Sequence, residues 1–175
     1  MTEIADPYTA PEGTLPLVAG VLSQLHFVHR DMVGLVRELP PEALAWSPGP
    51  EMSTLAGLVR HTIYCEKYCM LAAGGLDYNF DAETDRQMLA ATDDAPALVA
   101  DIVEADMVAK RALPVLTVED LGKTLKVWGG ESTESAGGLI ADALNHTAMH
   151  WGHMQMTRQL WQQRHPAFTD GYTRW

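Results

Sequence analysis

Basic residues are scarce in this chain: 12 Lys and Arg stand against 23 Asp and Glu, a formal net charge of -11 over 175 residues. No run of Lys or Arg interrupts that acidity. Long-range electrostatics therefore oppose contact with nucleic acid or an anionic membrane, and neither is expected as a partner. Long apolar runs are missing as well, since none approaches the roughly 18 residues of a membrane span. The opening segment, Met1 to Pro7, has neither the basic nor the apolar stretch of a secretory signal, so the soluble cytoplasm is the expected location. Cysteine is down to two residues, Cys65 and Cys69, four apart on one expected helix. Their Cα atoms would lie about 6 Å apart with both side chains pointing the same way, so free buried thiols are expected rather than a disulfide. Neither Gly129-Gly130 nor Gly137-Gly138 carries the Gly-Lys-Ser/Thr ending of a phosphate loop. No Ser-His-Asp arrangement can be located from sequence order.

What the chain does have is apolar patterning. Hydrophobic residues make up 47% of the sequence, enough for one domain over 1–175 with a sizeable core. Leu17, Val21, Leu25, Val28, Met32 and Leu35 recur at three- and four-residue spacing and predict a first helix over 15–39, stopped by Pro40-Pro41. A punctuated loop over 42–52 follows, with Ser53 as the expected N-cap of a second helix running to 73, where Gly74-Gly75 ends it. The acidic stretch 76–95 is too long for a tight turn and reads as a crossover, with room for a short helix over 83–89. Pro96 opens a third helix to 112, with Leu98, Ile102, Ala105 and Ala109 facing the core. The stretch around Thr124 to Trp128, before Gly129-Gly130, predicts a strand or hairpin arm. Ser132 is the expected cap of a last helix, 132–164, stopped by His165-Pro166, and the tail to Trp175 is expected to lie back on the bundle. The expected fold is an all-α four-helix bundle with a long crossover between helices 2 and 3 and a short arm before helix 4.

Chemistry concentrates in the last helix, in Asn145-His146-Thr147-Ala148-Met149-His150-Trp151-Gly152-His153. At about 100° per residue, His146 and His150 are offset by about 40°, and His153 falls about 20° to the other side of His146. Asp142, His146, His150 and His153 thus share a sector bordered by Leu139, Ala143, Met149 and Leu160. A histidine pair at this spacing is how a single helix grips one metal, and His61, polar amid an apolar helix, offers a third imidazole. The alternative is a set of hydrogen-bonded boundary histidines.

Other residues stand near this constellation. His153 could act as a general base. Cys65 is four residues beyond His61 on the same sector, either a soft ligand or a core residue. Glu66 lies about 140° round from His61, which suits an ion-pair partner better than a ligand. His26 and His29 on the first helix could line the cavity or sit at a boundary. Glu131, Glu134 and Asp142 could orient ligand imidazoles, with Asp142 best placed, one turn before His146. Trp46, Trp151 and Tyr64 could form an apolar-aromatic wall.

Three segments together resemble the DinB-like superfamily: the loop Trp46-Ser47-Pro48-Gly49-Pro50-Glu51-Met52-Ser53, His61 with Glu66 after it, and the Asn145 to His153 run. The nearer likeness is to its actinobacterial branch, related to thiol-dependent S-transferases and mycothiol-dependent maleylpyruvate isomerase. The resemblance implies a four-helix bundle with a long connection between two helix pairs. It also implies one divalent metal, zinc, nickel or iron, held by His61, His146 and His150. Where the family often has Arg-Gly-Gln, this chain has Trp151-Gly152-His153, one positive charge fewer beside the site. The function so implied is a metal-dependent transferase or isomerase that joins a low-molecular-weight, mycothiol-like thiol to a small electrophilic substrate. Two alternatives stay open, a metal-dependent hydrolase and a non-catalytic metal- or ligand-binding stress-response protein. A homodimer through a helix face or the Trp128 arm is the expected assembly.

Overall fold

The computed structural model describes residues 4, 8–76, 79–89, 94–130 and 132–168. The first long helix, α1, spans Pro16–Glu38, one residue from the sequence expectation at each end. A proline in its first turn loses no helical hydrogen bond, and Leu39 is held extended ahead of Pro40, which closes the helix. Pro41 then starts a short helix rather than a loop, α2 at Pro41–Leu44, because proline suits an N-terminal position as well as it suits a stop. The second long helix, α3 at Leu55–Ala73, is capped by Thr54 and not by Ser53; the Thr54 hydroxyl accepts from the Gly57 N–H. Gly75, at φ +69°, turns the chain away at its end.

The crossover carries α4 at Ala82–Leu89, which has no buried residue of its own. Asp94 caps α5, Ala95–Ala112, and a one-turn helix, α6 at Val118–Leu121, follows with a Thr117–Asp120 capping box. The arm is a two-stranded antiparallel hairpin, β1 at Thr124–Val127 and β2 at Ser132–Ser135, in register Thr124 to Ser135 and Val127 to Ser132. Ser132 is therefore a strand residue, and Ser135 caps the last helix, α7 at Ala136–Arg164.

Four long helices carry the core, with α3 packed on α7 and α5, and α1 packed on α5 and α7. The apolar interior is divided in two. One cluster joins Met32 to Val36 of α1, Leu55 to Ile63 of α3, Leu98 to Ala105 of α5 and Trp151 to Trp161 of α7. The other joins Val18 to Leu25, Tyr68 to Ala73, Val108 to Leu113 and Ala136 to Ala143. Between them lies a layer of buried polar side chains: His26, His29, Thr62, Glu66, Asp106 and Thr147.

That layer is held by hydrogen bonds, as buried polar groups require. The His29 ring, fully enclosed, lies 3.0 Å from the Glu66 carboxylate through Nε2 and 3.5 Å from Asp106 through Nδ1. Asp106 also meets His26 at 3.2 Å and accepts from Lys110 at 2.5 Å. Thr147 donates to Glu66 at 2.8 Å, so the α7 residue next to His146 is tied to α3.

The arm folds back on its own bundle. The Tyr68 hydroxyl accepts the Trp128 N–H at 2.8 Å, and the Trp128 ring rests 4.9 Å from both Tyr68 and Phe80. Trp128 sits at φ +55°, a conformation that non-glycine residues seldom adopt without being held there. Of the expected stripe on α1, Leu17 is exposed; on α7, Met149 and Leu160 face outward. The tail packs through Phe168 on Trp161, while residues 169–175, like Glu131, lie outside the described residues.

Candidate metal centre

Thirty-odd ångströms of helix could have separated the histidines; the packing of α3 on α7 instead brings them together at the edge of the polar layer. His61 comes from the second turn of α3, and His146 and His150 from successive turns of α7. The Nε2 atoms of His61 and His146 are 3.1 Å apart. The His150 ring centroid is 4.4 Å from that of His146 and 4.9 Å from that of His61. Two imidazole nitrogens bound about 2.0–2.1 Å from one tetrahedral ion would be separated by about 3.3–3.4 Å, close to the spacing found. One nitrogen of His146, Nδ1, is buried with no hydrogen-bond partner among the described residues, so the ring is not committed elsewhere. The donor set fits a divalent metal.

Protonation favours the same reading. Burial, and then the neighbouring His61, lower the pKa of His146 below the usual imidazole value. Burial, with His146, His61 and His153 behind it, brings His150 down to about 4. Both rings are neutral at pH 7, which is the ligating form.

Among the described residues, the three donors that lie within 4.8 Å of one another include a thiol and leave out His150. His61, Cys65 and His146 each offer a ligand atom within 4.8 Å of the others. Cys65 Sγ lies 3.8 Å from His61 Nδ1 and donates to Asp85 Oδ1 at 3.6 Å. Burial first, and the Asp85 charge second, push its pKa up. Asp85 was not foreseen from the sequence. It reaches in from α4, accepts the Nδ1–H of His61 at 2.5 Å, and so fixes the tautomer that turns Nε2 toward His146. The only sequence signal for it is the short acidic helix in the crossover.

Beside the histidines opens a cavity of about 270 Å³. Cys69, Trp128, Ala143 and Met149 form its apolar wall, and Cys65, Asp142, Asn145 and His146 supply polar edges. Asp142 does not orient His146; it faces Glu134, whose pKa is raised by burial and then by Asp142. His153 is exposed on the rim, its Nδ1 3.3 Å from that of His150, and lines a separate apolar groove with Met52, Leu58 and Met156.

The expected aromatic wall is elsewhere. Trp151 follows His150 by one residue, about 100° round the helix, and is buried among Met154 and Trp161. Trp46 packs at the same end under Arg164. Tyr64 holds the crossover, accepting the Asp81 N–H at 2.9 Å. Trp128 of the arm takes the place given to them. His26 and His29 do not line the cavity either, because Asp106 and Glu66 draw them into the central layer. Glu66 is an ion-pair partner and not near enough to the donor group to join it.

Comparison with known proteins agrees with this architecture. No curated protein matches the sequence. A DinB-like protein from Bacillus subtilis, known from its crystal structure, is similar in fold, with a TM-score of 0.59 and 15% identity over 86% of this chain and 93% of that one. The family model for the DinB superfamily matches residues 24–154, a span that contains all three triad histidines, and the chain belongs to that superfamily.

Proposed function

We propose that this protein is a metal-dependent transferase or isomerase, in which His61, His146 and His150 hold one divalent ion and a low-molecular-weight thiol attacks a small electrophile. The observation that carries the reading is the pair of facing Nε2 atoms, 3.1 Å apart, at the mouth of an apolar cavity. A bound divalent ion supplies the Lewis acidity that keeps a thiol or water deprotonated near neutral pH. Zinc, nickel and iron all accept imidazole.

The chain's own residues do the rest. Trp128, Met149 and Ala143 exclude water and pack the electrophile's apolar body. Asp85 holds His61 in one tautomer. His153, on the exposed rim beside His150, is placed to carry a proton between the site and solvent. Among the described residues the cavity lining has no Lys or Arg and does have Asp142, which favours a neutral or cationic electrophile over an anionic one. A mycothiol-like cosubstrate is the thiol implied by the resemblance to the actinobacterial branch, and the missing Arg of that branch makes anionic thiols the poorer candidates.

The test is conjugation of thiols to an electrophilic aromatic acceptor, with and without chelator. Turnover that needs both thiol and metal supports the proposal. Product formed without thiol would indicate a hydrolase, and no metal-dependent turnover with any thiol would leave a non-catalytic binding protein. A homodimer is the proposed assembly; with Trp128 folded onto its own bundle, the exposed Met156 and Leu160 of α7 offer a helix face for it. Light scattering giving a concentration-independent mass near 19.2 kDa would count against association.

A further inference from the structure

We propose that Cys65 supplies a thiolate ligand to the same ion as His61 and His146, so that the centre is a mixed thiolate–imidazole one; this rests on the metal-binding reading above. Three features separate Cys65 from a cysteine that merely fills space. Its sulfur is one of the three donor atoms that lie mutually within 4.8 Å. Its surroundings are polar, with a carboxylate oxygen at 3.6 Å and an imidazole nitrogen at 3.8 Å, whereas a small buried hydrophobe is expected among apolar atoms. And His61 and Cys65 are four residues apart on α3, so they share one sector of that helix.

Cys69 is the internal contrast. It lies one turn further along α3, equally enclosed and lining the same cavity, but belongs to the apolar cluster with Tyr68, Ala73 and Leu139. Sequence alone gives the two cysteines the same description; their environments differ.

On binding, the S–H bond of Cys65 is replaced by a sulfur–metal bond and the thiol proton leaves to solvent. Asp85 loses its sulfur donor and keeps the Nδ1–H of His61. No electron moves. The consequence is selectivity: a thiolate in the sphere favours a thiophilic ion such as zinc over magnesium or manganese, which three imidazoles alone do less strongly. It also leaves fewer positions open, so an incoming thiol or water must expand the sphere or displace a protein ligand.

Cobalt(II) is the probe, because its visible ligand-field bands report occupancy and a near-ultraviolet charge-transfer band reports a thiolate ligand. Metal-free wild-type protein, Cys65→Ser and Cys69→Ser would be titrated with cobalt(II) in the absence of any added thiol. The expected result is ligand-field bands in all three, with the charge-transfer band present in wild type and Cys69→Ser and lost in Cys65→Ser. Because the chain has only two cysteines, a charge-transfer band in Cys69→Ser can come from Cys65 alone, even if Cys65→Ser fails to fold. Cobalt bound by wild type without the charge-transfer band, or a band that survives in Cys65→Ser, overturns the proposal and leaves the histidine site standing. No ligand-field bands in wild type at all would overturn the metal-binding reading itself, and this proposal with it.

Discussion

Replacing Asp85 by Asn should weaken metal binding without weakening the fold. The Asp85 carboxylate is 2.5 Å from His61 Nδ1, and both side chains are largely shielded, at 19% and 14% exposure, so bulk water screens the contact only in part. An amide of the same shape has no charge and can turn either its oxygen or its NH2 toward the ring, so the tautomer is no longer enforced. Losing a partner of this kind costs metal affinity about 10–100-fold, or about 1.4–2.7 kcal/mol. The helix that bears Asp85 has no buried residue of its own, and an Asn oxygen can still accept from His61, so stability should move by no more than about 1 kcal/mol. A competition titration against a chromophoric chelator measures the first quantity and thermal unfolding of the metal-free protein the second. Gly57→Ala provides a remote version of the same perturbation. A Cβ at Gly57 would stand 2.1 Å from the Leu89 carbonyl oxygen, so α4 must shift on α3 and take Asp85 with it. Elsewhere in a helix that substitution would be stabilising. Unchanged metal affinity in Asp85→Asn would refute the reasoning, and so would a loss of affinity that merely follows a loss of stability.

Other expectations follow from the central polar layer and the triad. Glu66→Gln removes the counter-charge of a fully buried His29 and should cost about 3–5 kcal/mol, read by urea unfolding; a change under about 1 kcal/mol would mean the pair is not ionic. Burial alone would lower the pKa of His29, but the charge of Glu66 and the bonds to Glu66 and Asp106 outweigh it and raise it to about 9. The folded state therefore holds that proton more tightly than the unfolded one. Its contribution is complete below pH 6.5 and is lost as pH rises through 9, so metal-free wild type should soften over that window and Glu66→Gln should soften less. Asp106 has the opposite sign. Burial alone would raise it, but His29 and Lys110 bring it down to about 2, so its contribution holds above pH 3.8 and is lost as pH falls through 2. His150→Ala should lose metal and thiol-transfer activity yet keep its helical circular dichroism with a modest fall in midpoint temperature. Collapse of the helical signal at 25 °C on metal removal would make the metal a structural staple.

Three of the four long helices, α1, α3 and α7, were legible because an apolar period meets a hard stop: Pro40-Pro41, Gly74-Gly75 and His165-Pro166 are all where the chain turns. The convergence of His61, His146 and His150 was legible because polar residues bordering apolar helical faces must meet something. What escaped the sequence depended on contacts between distant segments. Asp85 sits in a mixed acidic stretch where no periodicity tells which carboxylate reaches His61, 24 residues back. His26 and His29 find partners 77 to 80 residues away, and nothing local marks Asp106 as the residue that draws them inward. Trp128 forms the cavity wall only because a left-handed backbone turn and the Tyr68 hydroxyl fold the arm back. Trp151, next to His150 in sequence, is turned out of that wall because a one-residue step on a helix rotates a side chain by about 100°.

The central claim is that His61, His146 and His150 share one divalent ion, and elemental analysis of the purified protein and its three single alanine variants tests it most directly. Wild type should carry close to one equivalent of a divalent transition metal per chain. Each variant, checked for wild-type helical content, should carry much less. Wild-type metal content retained in all three folded variants would contradict the claim.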